Sequence, residues 1–225
     1  MIKISNSKIV SYIKLSPNNS GERTMKIDRI TPHCVVGQCS VETIGKMFSF
    51  PEHKASSNYG IGSDGKIGMF VPENMRSWCS SSRANDQRAI TIECASDAAE
   101  PYAMNDAVYK TLVELCIDIC KRNGKTVLLW FGDKEKTLSY SPKSNEMVLT
   151  VHRWFANKSC PGDWLYSRLG ALAETVTNEL SRGNEDIIYR IQVGAFRNKQ
   201  NAENYLSVIK KSGFPNAFIV ASKPE

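Results

Sequence analysis

The chain carries three histidines, His33, His53 and His152, and seven cysteines, Cys34, Cys39, Cys79, Cys94, Cys116, Cys120 and Cys160. The densest chemistry lies in the stretch His152-Arg-Trp-Phe-Ala-Asn-Lys158-Ser-Cys160-Pro-Gly162. An imidazole and a thiol separated by seven residues, closed by Pro-Gly, can share one tight loop and one metal ion. Zinc accepts both ligand types, and a catalytic zinc takes three protein ligands and leaves a fourth position for water. His33, at the end of a candidate strand, is the third donor. A core cysteine with two surface histidines is the competing reading, and spacing alone leaves both open.

The other thiols and His53 read more simply. His53 sits in the polar stretch Pro51-Glu-His-Lys, a surface loop. Cys116 and Cys120 are four apart on the apolar stripe of a helix and read as core thiols. Cys34 and Cys94 adjoin His33 and Glu93, so on strands they point to the opposite, buried face.

These residues need elements to hold them. Ala89 to Cys94 (AITIEC) alternates and is rich in β-branched residues, which predicts a strand with Glu93 on the face of Ala89 and Thr91. Thr126 to Phe131 is a continuous apolar run, as in a strand buried on both faces. Ile27 to Val36 is a weaker strand candidate, interrupted by Pro32. Val108, Leu112, Leu115 and Ile119 recur at helical spacing, and Asn123-Gly124 supplies a stop. A second helix begins near Asp163, with Leu165, Leu169, Leu172, Val176 and Leu180 as its stripe. Strands mixed with helices predict an α/β body around a central sheet.

Bulk properties bound the setting. At 225 residues the chain can bury a core, as one domain or one plus a small module. No apolar run approaches the roughly 18–20 residues needed to span a bilayer. Met1 to Ser16 lacks a continuous apolar stretch, so synthesis in the cytoplasm without a signal peptide is expected. Seven irregularly spaced cysteines favour reduced thiols over a disulfide framework. A net charge of +6 suits an anionic partner such as nucleic acid, a membrane surface or a phosphate-rich wall, but the cations are scattered as on a solvated surface.

Ser181-Arg-Gly-Asn-Glu-Asp186 reads as a linker, giving a body over 1–180, a linker over 181–187 and a module over 188–225. In the module, Tyr189, Ile191, Val193 and Ala195 alternate as a strand. A helix follows with Ala202, Tyr205, Leu206 and Ile209 on one face and Gly213 at its end, then Ala217 to Ala221 as a second strand. This is a small βαβ unit, too short for confident independent stability.

The segment Thr150 to Gly162 resembles the closing signature of the type-2 N-acetylmuramoyl-L-alanine amidases, in the superfamily of peptidoglycan-recognition proteins and phage endolysins. Three further segments match in order: Thr31-Pro-His33; Ser56-Ser-Asn-Tyr-Gly-Ile-Gly-Ser-Asp-Gly65 with Lys66-Ile-Gly; and Ala89-Ile-Thr-Ile-Glu93. The last is similar to Bacillus and Clostridium phage-type endolysins. The similarity spans about residues 25 to 180. It implies a central mixed β-sheet flanked by helices, and a Zn2+ ion held by His33, His152 and Cys160. It also implies hydrolysis of the amide between N-acetylmuramic acid and L-alanine in peptidoglycan. Glu93 resembles the proton-transferring carboxylate, and Lys158 the cation that stabilises the tetrahedral oxyanion.

The resemblance has a departure: a Tyr or His that assists catalysis in many members is replaced here by Ser57 and Asn58, with Tyr59 next. Asn58, Tyr59, Trp78 and Asn85 are taken as substrate-binding candidates; Asn58 alternatively caps a turn and Trp78 alternatively packs in the core. The implied role is that of an endolysin or autolysin, acting on the wall after release, with no nucleic-acid partner and no membrane span. Tyr189 to Phe196 followed by Asn201-Ala-Glu-Asn-Tyr-Leu resembles the first half of a sporulation-related (SPOR) repeat. That implies binding to glycan strands stripped of stem peptides, either as a truncated repeat or by self-association with another copy. A packing appendage is the alternative. A recognition module that binds muropeptides without cutting is the second class of function, and Cys160 with Glu93 and Lys158 argues against it. No His-Glu-x-x-His helix occurs, which argues against a generic zinc peptidase.

Overall fold

The computed structural model describes residues 5–185 and 191–221, and the chain divides into two compact units, Met1–Glu185 and Asp186–Glu225. In the first unit the elements run β1 (Tyr12–Ile13), β2 (Asn19–Glu22), β3 (Arg29–Val36), α1 (Val41–Phe48), β4 (Tyr59–Ile61), β5 (Ile67–Met69), β6 (Met75–Ser77) and α2 (Arg83–Asp86). They continue as β7 (Ala89–Ser96), α3 (Asp106–Arg122), β8 (Val127–Leu129), α4 (Lys134–Ser139), β9 (Glu146–Leu149), α5 (Asp163–Tyr166) and α6 (Leu169–Glu185).

Seven strands form one mixed sheet in the order β1-β5-β4-β7-β3-β9-β8, parallel throughout except for the β4–β5 pair. β2 and β6 make a separate antiparallel ribbon. The α/β body with a central mixed sheet is therefore as the sequence predicts. Alternation sorts the two faces. Ile30, Tyr59, Ile61, Ile90 and Ile92 join the apolar stripes of α3 and α6 in the main core. Gly60 and Gly68 face the other way, where added Cβ atoms would lie 2.6 and 2.8 Å from the Phe70 ring, against which Ile44 and Phe48 of α1 pack. α3 stops where read, at Asn123 and Gly124, and it starts after Asn105, whose side chain accepts from Val108 N.

Pro32 does not interrupt β3, which is a central eight-residue strand. Asp28 and Ile30 carbonyls accept from Val148 and Thr150 N–H groups, so even-numbered positions point their backbone toward β9. Pairing with β9 ends at Ile30, so the N–H that Pro32 lacks is one the ladder does not use there.

Thr126 to Phe131 differs from the reading. Only Val127–Leu129 is strand, it lies at the sheet edge, and Val127 and Leu129 are half-buried. Its apolar residues serve another purpose: Trp130 stacks on Trp154 at 5.2 Å and Phe131 meets Tyr140 edge-on. The linker reading is also revised. Ser181 to Glu185 continue α6, since Gly183 alone costs a helix only about 1 kcal/mol and Ser181 Oγ donates back to Thr177 O; Asp186 and Ile187 lie outside the described residues.

In the second unit the expected helix is present as α7 (Lys199–Lys211), capped by Asn198 and followed by Gly213 at positive φ. Tyr189 lies outside the described residues, and among the described ones 191–197 and 217–221 form no strand. A strand needs a neighbouring strand to satisfy its backbone, and these residues offer only two short candidates.

Candidate metal centre and active site

The parallel strands β3 and β7 place His33 opposite Glu93 in register, and β9 delivers His152 just beyond its end through Thr150 and Val151. All three lie toward the carboxyl ends of parallel strands, on the sheet face opposite α3 and α6. His33 is fully buried, with Nδ1 3.3 Å from Cys160 Sγ and 3.9 Å from Glu93 Oε1. The His33 and His152 rings are 5.1 Å apart, and His33, His152 and Cys160 each offer one ligand atom within 4.8 Å of the others.

Cys160 is held in place by its loop. Arg153 N donates to Cys160 O, and the Arg153 guanidinium binds Asp163 and the Ser159 carbonyl. Gly162 is at φ +83°, and a Cβ there would meet Pro101 O at 2.6 Å, so the Pro-Gly after Cys160 lets the chain pass close to residues 101–102.

The electrostatics suit a cation. Burial, followed by the neighbouring His152, holds His33 well below its ordinary value, so it is a neutral imidazole. Burial, then the Lys158 ammonium, lowers His152. The Cys34 thiol, then burial, pushes Cys160 up when no cation compensates. His33 Nε2 and Glu93 Oε2 are buried without hydrogen-bond partners among the described residues. Two imidazoles and a thiol converging within 4.8 Å of one another, His33 buried and His152 and Cys160 half-buried, are a donor set that fits zinc.

Glu93 is not on a wet face. It lies beside His33, where burial holds its carboxyl up at about 7, opposed by the Cys79 thiol 3.7 Å from Oε1. Lys158 is exposed on the loop before Cys160, close enough to His152 to depress it, beside a shallow polar depression that also involves Asn157 and Ser159. Trp78 is half-buried, its indole N–H donating to Ser20 Oγ at 2.6 Å, and it precedes Cys79 in the chain.

Three of the substrate-binding candidates lie buried and hydrogen-bonded within the fold. Asn58 is fully buried: Oδ1 accepts from Arg23 and Thr91, and Nδ2 donates to Val71 O and Pro72 O. Tyr59 faces the main core, its hydroxyl donating to Glu73 at 2.6 Å and accepting from Ser7 N. Asn85 is a buried bridge, donating to Thr31 Oγ1 at 3.0 Å and accepting from Thr150 Oγ1 at 3.0 Å and Arg29 at 3.2 Å. Thr31 and Thr150 also bond each other at 2.7 Å. Each stands two residues before a histidine of the cluster, so Asn85 fixes both histidine-bearing segments without meeting a ligand. His53 is a surface residue, and Cys34, Cys94, Cys116 and Cys120 are buried, as read.

The residues that sequence reasoning passed over are Cys79 and Ser81. Ser81 Oγ lies 2.9 Å from His152 Nε2. The run Ser80-Ser81-Ser82 before Arg83 was the available signal, a dense patch of helix-capping side chains.

No helix among the described residues is long and apolar enough to cross a membrane. The N-acetylmuramoyl-L-alanine amidase family model matches residues 23–163, and a SPOR domain model matches residues 167–224. No curated protein matches the chain. Among solved structures, PlyL is similar at 17% identity with a TM-score of 0.52, covering 76% of this chain and 97% of that one. A selenomethionine derivative of AmpD is similar at 20% identity and TM-score 0.51 over 77% and 99%. Drosophila peptidoglycan recognition protein SA is similar at 16% and 0.51 over 70% and 89%. At these identities the structures establish the fold alone, and the family model, spanning more than half of the sequence, shows the family: the chain belongs to the N-acetylmuramoyl-L-alanine amidase family.

Proposed function

We propose that the chain is a zinc-dependent amidase that hydrolyses the bond between N-acetylmuramic acid and L-alanine of peptidoglycan. His33, His152 and Cys160 hold the metal. The observation that carries this reading is the half-buried Glu93 carboxylate, 3.9 Å from His33 Nδ1 and beside the three-donor cluster. When bound, zinc supplies a Lewis acid that activates water and polarises the scissile carbonyl.

The chain's own groups account for the proton and the charge. Glu93 accepts a proton from the attacking water as the C–O bond forms, then delivers it to the leaving nitrogen as the C–N bond breaks. The products are the lactyl carboxylic acid and a free amino terminus on the stem peptide. Lys158, exposed on its loop, offers an ammonium to the developing oxyanion. Trp78 forms a wall against which a sugar face stacks.

The matched SPOR region supports attachment to glycan strands, and the family supports a lytic or autolytic role at the wall after release from the cytoplasm. Purified peptidoglycan digested by the full chain and analysed by mass spectrometry tests the reading. Stem peptides with free N-terminal alanine and intact glycan strands are expected; new reducing sugar ends or cleaved peptides with no free alanine would overturn it.

A further inference from the structure

We infer that Ser81 is a positioning residue that fixes the ring of His152 by accepting a hydrogen bond from its Nε2, leaving Nδ1 for the metal. The inference rests on the zinc reading above.

Three adjacent serines do three different things. Ser80 Oγ donates to Asp86 Oδ1 at 2.6 Å, and the same carboxylate accepts from the N–H groups of Cys79 and Ser80. Ser82 caps α2 by accepting from Asn85 N. The Ser81 hydroxyl has one side-chain partner among the described residues, His152 Nε2 at 2.9 Å, seventy-one positions along the chain.

The backbone gives the second, independent observation. Ser81 is at φ +60°, one of three non-glycine residues at positive φ among the described residues. A Cβ in that conformation is strained, and the sequence places serine rather than glycine there. Such strain persists where surrounding structure over-determines it, and it clusters at functional sites. Here the over-determination is visible: the Asp86 carboxylate clamps one side of Ser81 and the α2 cap the other.

A histidine that binds a metal through one nitrogen has its tautomer and ring orientation set by the partner of the other nitrogen. Nε2 is taken by Ser81, so Nδ1 is the nitrogen free to ligate. The same turn sets Glu93 as well, through the Cys79 thiol at 3.7 Å. One four-residue turn thus touches both the proposed metal site and the proposed base.

Chelator competition for zinc, with thermal melts of the metal-free full chain, tests this in Ser81→Ala and Ser81→Gly. Losing an outer partner of this kind typically costs 10–100-fold in metal affinity, so both variants should bind zinc that much more weakly than wild type. Ser81→Gly should also melt higher than wild type without metal, because its backbone strain is relieved. The hydrogen-bonded ring N–H signal of His152 in zinc-loaded wild type should vanish from the nitrogen-correlated proton spectrum of both. Wild-type zinc affinity in both variants overturns the inference, as does a fall in affinity that merely tracks a fall in metal-free stability. If wild type itself binds no zinc, the underlying reading falls first and this one with it.

Discussion

His33 and Glu93 are register partners on adjacent parallel strands, and that pairing is why their polar atoms approach to 3.9 Å. The alternation that puts Ile90 and Ile92 into the core under α3 puts Thr91 and Glu93 on the opposite face, beside Thr31 and His33. A one-residue slip of β7 would bury Glu93 in the apolar core and turn Cys94 toward His33, so the hydrophobic pattern itself enforces the pairing of Glu93 with His33.

Glu93→Gln separates proton transfer from metal binding. It keeps the size and reach of the side chain but removes the basic carboxylate. General acid–base catalysis contributes about 10²–10⁴-fold, so kcat should fall by that factor while zinc content stays near one equivalent. Wild-type turnover in a zinc-replete Glu93→Gln enzyme would return Glu93 to a structural role.

Cys160→Ser should behave differently. A neutral hydroxyl is a poor replacement for a thiolate, so both metal and rate should be lost together. Chelation of the wild-type enzyme should abolish activity and added zinc restore it. Full activity in a preparation shown by elemental analysis to be metal-free would defeat the zinc assignment.

Asn85→Ala tests the buried bridge. The change leaves Thr31, Thr150 and Arg29 short of a partner they now use. Unsatisfied buried polar groups cost about 1–3 kcal/mol, so the urea midpoint should drop by that equivalent with the slope unchanged. Trp78→Ala should instead raise KM for wall fragments with little change in stability. The opposite pattern, a stable Asn85→Ala with raised KM, would restore Asn85 to the substrate groove.

What the sequence disclosed depended on whether the information was local. His152 and Cys160 share one loop, and the Ile-Thr-Ile-Glu alternation is local, so both were legible. The roles of Asn58, Tyr59 and Asn85 were not, because nothing in a polar residue's own neighbourhood says that Thr91, Glu73 or Thr150 will close over it. Pro32 argued against a central strand until the end of the β9 pairing was known. The Ser80-Ser81-Ser82 run marks a capping region, but which serine reaches His152 is not legible, because positive φ at Ser81 carries no periodic signal and is imposed by Asp86 and the α2 cap.

The last prediction concerns residues 186–225. Helix α7 is well formed, with Asn198 accepting from Gln200 N and Asn201 N and a Lys199–Glu203 pair one turn on. Around it Ile191, Phe214 and Phe218 are exposed, so the described part of this unit buries little apolar surface of its own. The first unit has its own core, built from β3, β4, β7, α3 and α6, and should fold without the tail. If the tail binds glycan strands, deleting it should weaken sedimentation with insoluble walls while turnover of soluble muropeptides stays nearly intact. The two readouts differ because linking a second binding site to the catalytic unit raises the effective concentration of enzyme only on a polymer that both can reach. A soluble fragment with one cleavable amide offers no second site. Equal wall sedimentation with and without residues 186–225 would remove the binding role. A parallel loss of soluble turnover would instead mean that the tail supports the fold of the catalytic unit.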